Sequence, residues 1–464
     1  MPHSLRRKLR LNLRPEPDYS LEGRAGLESV ARAVDSPLVR GGLIIVAGIL
    51  TGNVLGFLRV ALTAYLLGTH SAADALAVAI GPLDTLNQVL TSTMVFAFVP
   101  MLTERSGAER TALFLKLNQV FLRFFLVVTA VVLVAAPQVV RLLAPGLDPA
   151  YVDSAVTILR IASLSSAAAG VGAIHSALLY TDRRFAPSAF YQATLNVFTI
   201  AGALALWPVL GIYGFAIGYT AGAWAQFAVV RFAARSGLTT EALPQSQIHW
   251  QELVSKPVSI LVYSAFIALN LTLTRAYATH LGPGTAAAFE YSMRCVGVPL
   301  AFLVSPMSNS LLPEIARLRS LARLREAFRI IVRTTALAGA AAVAACAIGI
   351  AVREPVIALL FERGSFTAES TKLVSAVFLG FVPSLIGWSL LEMTSRSLFA
   401  LERPWLPVTA SAIPVVINAI VFVAVPGLRP ETLGLGASIG LFVSFVFLVM
   451  ARRNTRRELC ATSS

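Results

Sequence analysis

Acidic residues are scarce in this chain of 464 residues, and cysteines nearly absent: 24 Asp plus Glu stand against 38 Lys plus Arg, and there are three cysteines. Cys295 and Cys346 fall inside apolar runs and Cys460 lies near the C-terminus, so no pair has disulfide or metal-ligand spacing. No glycine-rich loop ends in Lys-Ser or Lys-Thr to cradle a nucleotide, no histidine pair has metal spacing, and no serine or cysteine has an evident base. Catalysis, redox chemistry and resident cofactors or metals are therefore not expected. The first residues are basic and polar and lack the apolar core and cleavage site of a secretory signal; they read as a basic cytoplasmic tail over 1–42.

Apolar residues dominate instead. The chain is 56% hydrophobic and 13% charged, with mean hydropathy +0.73, more apolar side chain than a soluble core of this length buries. Runs long enough to cross a hydrocarbon core cover 43–68, 75–102, 115–143, 151–180, 186–208 and 211–234, then 257–281, 285–312, 328–352, 370–400, 404–426 and 433–451. The net charge of +14 falls on alternate loops, for example at Arg105 and Arg110, Arg183 and Arg184, Arg317, Arg319, Arg323 and Arg325, and Arg452, Arg453, Arg456 and Arg457. That distribution is a topology signal, not a nucleic-acid surface, and nucleic acid is not expected as a partner. By the positive-inside rule both termini are cytoplasmic, with anionic lipid of the bilayer against the basic tails.

The same punctuation occurs twice. Pro137 to Gly146 and Pro355 to Gly364 each set proline and glycine nine apart between apolar runs, and Leu178 through Pro187 is echoed by Leu398 through Pro407. Repeated helical bundles meeting at a pseudo-symmetric interface are a common plan of secondary transporters, with substrate at the interface. The fold expected is an all-α integral membrane protein, with about twelve transmembrane helices in two pseudo-symmetric six-helix bundles around a central cavity. The bundles span 43–236 and 257–452, joined by a polar linker at 237–256 and followed by a cytoplasmic tail at 453–464. Gly211, Gly214 and Gly218 in one last span and Gly434, Gly436 and Gly440 in the other suit close helix packing. Prolines inside spans, such as Pro82, Pro299, Pro306, Pro383 and Pro414, predict kinks, static or hinge-like.

A charge at bilayer depth costs about 2.5 to 3.5 kcal/mol on insertion scales and usually faces a wet cavity or a partner. Arg59, Arg160, Arg275 and Arg294 sit at such depth. Grouped guanidinium forks with few acids nearby suit an anion, since they bind phosphate or carboxylate in bidentate fashion. Arg160 has the alternatives of pairing with Asp153 or snorkelling. Asp84, Asn87 and Gln88 form a polar stripe of the kind that lines a cavity. Asp74 reads equally as a charge satisfying helix N-terminal amides and as a gating partner for an arginine. His175 and His280 stand alone and are weak candidates for proton carriers.

Four segments carry a family resemblance. They are Asn53-Val-Leu-Gly-Phe-Leu-Arg59 with Asp74-Ala75 and Ala97-Phe-Val-Pro100; Tyr291-Ser-Met-Arg294 with Pro299 and Leu311-Leu-Pro313; Leu359 through Phe366-Thr367; and Ser395-Arg-Ser-Leu-Phe-Ala-Leu401 with Pro407. Together they resemble the MurJ/MviN family, the lipid II flippases of the multidrug, oligosaccharidyl-lipid and polysaccharide exporter superfamily. The resemblance implies a bacterial inner-membrane flippase, not an enzyme, that carries a polyprenyl-diphosphate-linked saccharide by alternating access, with cell-wall synthesis machinery and oligomeric state left open. It implies that Arg59 and Arg294, with Arg275, hold the diphosphate, that Asn87 and Gln88 hydrogen-bond sugar or peptide, and that Asp74 closes the external gate. The chain departs from the family at Asn53, usually arginine; at Val60, usually an acid; at Asn87 and Gln88, where an arginine pair is usual; and in reading as twelve helices without two further C-terminal ones.

Other readings keep the fold and change the cargo to another lipid-linked polysaccharide precursor or an exported drug. A cationic drug would call for intramembrane acids, and only Asp84 and Glu290 qualify. A non-transporting membrane scaffold also fits the departures. A membrane-embedded glycosyltransferase fits less well, because the loop around 353–369 offers only Glu354, Glu362 and Glu369 on a short turn. Uphill movement would draw on an ion gradient, the membrane potential or consumption of the product.

Overall fold

Long apolar runs with no water to satisfy their amides are driven to helix, and the computed structural model is helical throughout, with no strand among the described residues. It describes residues 37–238, 258–321, 323–425 and 427–461. The first half comprises α1 Pro37–Leu67, α2 Ser71–Thr103, α3 Gly107–Leu143, α4 Pro149–Ser163, α5 Ser165–Thr181, the single turn α6 Ala186–Ala189, α7 Tyr191–Leu210 and α8 Tyr213–Ala234. The second half follows the same order: α9 Val258–Ala278, α10 Thr285–Pro299, α11 Ser305–Ser320, α12 Leu324–Phe361, α13 Ala368–Phe381, α14 Ser384–Ala400, α15 Trp405–Ala424 and α16 Leu435–Ala461. Helix starts at Pro37, earlier than the expected 43 and through Gly41 and Gly42, and the last helix runs past 453 to Ala461. Residues 1–36 of the tail and 239–257, most of the linker, lie outside the described residues.

Among the described residues ten helical segments, counting α4 with α5 and α10 with α11 as one each, are long and apolar enough to cross a membrane, and α13 with α14, bent by 43° at Val382–Pro383, makes an eleventh. The twelfth expected span, α8, is 22 residues long, but Tyr213, Tyr219, Thr220 and Gln226 dilute its apolar character. The expected span 285–312 is α10 and α11 joined by a π-turn at Leu300–Val304. Pro299 and Pro306 each lack an amide donor, so the regular ladder fails there and the turn widens.

The repeat is visible in the backbone, with a correction. Arg183 and Glu402 are the two non-glycine residues with positive φ among the described residues, at 56° and 57°. Arg184 N–H donates to Leu179 O and Arg183 N–H to Tyr180 O, while Arg403 N–H donates to Leu398 O and Glu402 N–H to Phe399 O. Both helix ends are the same two-bond C-terminal cap with a left-handed residue. Leu398 therefore matches Leu179, one residue on from the Leu178 that sequence alignment selects.

The glycines of the last spans work as packing surfaces. A Cβ on Gly218 would lie 2.5 Å from the Phe198 carbonyl oxygen of α7, and one on Gly440 2.5 Å from Cα of Pro414 on α15. Gly211 instead ends α7 at φ 52° with open space around it.

Candidate functional site

Hydrogen bonds between the halves gather at one end of the bundle. Thr69 Oγ1 and Ser370 Oγ lie 2.8 Å apart, Ser365 N–H donates to Tyr65 O at 2.8 Å, and Tyr291 O–H donates to Gly68 O at 2.8 Å. Asp74, in the first turn of α2, accepts from Gly284 N–H at 2.6 Å and Ala287 N–H at 2.8 Å. Its partner is thus the amide terminus of α10 in the other half, not an arginine. Backbones touch here because Gly284, at φ 82°, leaves room where a Cβ would come 2.0 Å from Thr69 O, and Gly364, at φ 62°, where one would come 2.5 Å from Tyr65 O. The Phe361-to-Thr367 segment is built for this contact. Phe361 and Phe366 pack on Tyr291, Glu362 accepts from Thr371 Oγ1 at 2.6 Å, and Thr367 caps α13.

Removing the Asp74 carboxylate takes away both charge-assisted bonds and leaves two amides without partners, at a cost of about 1–3 kcal/mol to this seal. Asp74→Ala should accordingly raise thiol labelling of a cysteine placed at Thr69 by about tenfold or more, with Asp74→Asn, which keeps one acceptor, in between. Labelling unchanged in Asp74→Ala would show that the contact does not hold the end shut.

Below the seal lies a cavity of about 350 Å³ between the halves, lined chiefly by α1, α2, α9 and α10, within the range of small-ligand sites. Arg59, Gln88, Arg275 and Arg294 all line it. Arg59 donates to Asp84 at 3.1 Å, and Tyr219 O–H donates to the other Asp84 oxygen at 3.3 Å. Arg275 pairs with Glu290 through Nε and reaches Thr85 Oγ1 at 3.5 Å. In each half, then, an arginine on the first helix is held by an acid on the second. Each arginine keeps one buried terminal nitrogen, Nη1, without a partner. Arg294 forms no ion pair among the described residues; its guanidinium lies over Gly56, where a Cβ would sit 2.7 Å from Nη2. Gly81 does the same for Arg275, at 2.9 Å from Nε.

Asn87 is turned away from this group. It is buried, with Nδ2 donating to Ser165 Oγ at 3.1 Å and Tyr219 Oη at 3.4 Å, so it braces α2 against α5 and α8 while Gln88 takes the cavity side. Arg160 is exposed and donates to Leu133 O at 3.1 Å, outside the cavity. His175 is buried between Phe114 and Phe227 in edge-on ring contacts. Sequence reasoning missed Gly56, Gly81 and Tyr219 as supports; Gly56 carried a signal, standing inside the Asn53-to-Arg59 motif.

Comparison with known proteins bears on what this cavity handles. A family model described as lipid II flippase MurJ matches residues 63–460. The chain belongs to that family. A probable lipid II flippase MurJ of Rhizobium meliloti is 26% identical over 389 residues, covering 80% of this chain and 72% of the relative. The lipid II flippase MurJ of Burkholderia cenocepacia is 27% identical over 428 residues, covering 87% and 82%. A solved structure of lipid II flippase MurJ in an inward closed conformation superposes with TM-score 0.78 at 19% identity, covering 91% of this chain and 90% of that one, a likeness of fold. This MurJ-family chain is thus a multi-pass membrane protein of a transporter family, not an enzyme.

Proposed function

We propose that this chain moves lipid II, or a related polyprenyl-diphosphate-linked saccharide, from the inner to the outer leaflet of the bacterial cytoplasmic membrane by alternating access. The observation that carries this is the grouping of Arg59, Arg275 and Arg294 around one cavity between the halves. Two unpartnered buried nitrogens and one arginine without an ion pair offer donors that a diphosphate accepts in bidentate fashion. Gln88 on the cavity wall offers an amide to sugar or peptide, and Asn87 acts indirectly by fixing Tyr219 against Asp84. Placing the arginine-rich loops and both termini in the cytoplasm makes the sealed end external, with Asp74 as part of the external gate. Both acids that line the cavity are already paired with arginines, which disfavours a cationic drug as cargo.

Native mass spectrometry on the purified protein tests the headgroup assignment. Undecaprenyl diphosphate should bind at least about tenfold tighter than undecaprenyl monophosphate, the worth of one additional charge-assisted contact, and Arg294→Ala should remove that preference. Equal binding of both lipids and of uncharged polyprenol would contradict it and favour a scaffold.

A further inference from the structure

Each cavity arginine except Arg294 already holds an anion supplied by the protein itself. Asp84 sits on α2 and Glu290 on α10, and they occupy Arg59 and Arg275 as a phosphate would. With all groups ionised, three guanidinium groups and two carboxylates leave the cavity with one surplus positive charge. A diphosphate diester brings two negative charges. The occupied cavity would then hold an excess negative charge among buried groups between the halves, which protonation of one carboxylate relieves.

We propose that Asp84 and Glu290 are exchangeable counter-ions: substrate diphosphate displaces them from Arg59 and Arg275, and one proton from solvent is taken up by the pair for each lipid bound. This rests on the diphosphate reading above. The balance is simple. The guanidinium-to-carboxylate contacts exchange for guanidinium-to-phosphate contacts, one carboxylate O–H forms from a solvated proton, and the reverse occurs on release. Both acids are positioning residues, since they act through the arginines.

The surroundings of the two acids fit this exchange. Asp84 is faced by Arg59 from α1, Gln88 from α2, Tyr191 from α7, Tyr219 from α8 and Arg294 from α10. Once Arg59 turns to a phosphate, the neutral groups around Asp84 remain as hydrogen-bonding partners for a protonated or ionised acid. Glu290 is faced by Arg275 from α9, the Gly81 backbone of α2, and Arg294 and Tyr291 on its own helix. No other acid lines the cavity among the described residues.

The experiment is binding of undecaprenyl-diphosphate-N-acetylglucosamine, a diester that keeps two negative charges throughout, to the full chain by calorimetry, in two buffers of different ionisation enthalpy, from pH 6 to pH 9. Wild type should take up about one proton per lipid in the upper part of that range, its affinity falling there by up to about tenfold per pH unit. The sign follows from uptake: raising pH removes the proton the complex needs. Asp84→Asn/Glu290→Gln should take up none, bind with pH-independent affinity and bind tighter than wild type at pH 8. In a transport assay it should lower KM and kcat together, because release loses the competing carboxylates. A merely structural role for the acids predicts weaker binding in that variant. Wild-type binding with no proton uptake and a flat pH profile would overturn the proposal, whatever the variant does. No binding of the diphosphate lipid by wild type would instead overturn the substrate reading on which the proposal stands.

Discussion

A disulfide between cysteines placed at Thr69 and Ser370 should stop transport almost completely, and reductant should restore it. The two hydroxyl oxygens lie 2.8 Å apart across the halves, and a disulfide needs its sulfurs at about 2.05 Å with Cβ atoms about 3.5–4.5 Å apart, so a small side-chain rotation suffices. Around the pair, Gly68, Asp74, Tyr291 and Ser365 already join the halves. A covalent bond there removes the open state of this end rather than biasing it. Alternating access needs that end to open in every cycle, whereas a fixed scaffold does not. Cys295, Cys346 and Cys460 should first be changed to alanine, so that the new pair is the only source of crosslinking. Full crosslinking with normal transport would place the moving seal elsewhere.

Replacing Arg59 should have an effect nearly as large, through two separable causes. Arg59→Ala leaves Asp84 buried with Tyr219 as its remaining direct partner from another helix, and breaking a buried ion pair from one side costs about 3–5 kcal/mol. The variant should melt at lower temperature, or restore its balance by protonating Asp84. Arg59→Gln/Asp84→Asn keeps shape and hydrogen bonding without either charge and should recover most of that stability. It should still fail to transport, because the positive charge that holds the phosphate is gone. Recovery of stability together with transport would reduce Arg59 to a structural partner of Asp84.

Much of the fold was legible because lipid leaves few solutions: apolar runs longer than a bilayer become helices, and basic loops mark one side. The repeat was legible in its punctuation but misread by one residue, since the matching feature is a left-handed backbone turn at Arg183 and Glu402, two residues unlike in charge and size. The cavity arginines Arg59, Arg275 and Arg294 could be picked out by the cost of burying them. Their pairing could not, because Asp84 lies 25 residues from Arg59 and Glu290 15 from Arg275, each on another helix. Asn87 and Gln88 show a limit that helix geometry already sets. Neighbours on a helix point about 100° apart, and here that step turns Asn87 toward α5 and α8 while Gln88 lines the cavity.

The decisive measurement is made in a bacterium depleted of its own lipid II flippase, expressing this chain while growth and the accessibility of lipid II at the outer leaflet are followed. The wild-type chain should restore both, and Arg59→Gln/Asp84→Asn, inserted to the same level, should restore neither. Failure of the inserted wild-type chain to expose lipid II, or equal rescue by the double variant, would contradict transport of lipid II through this cavity.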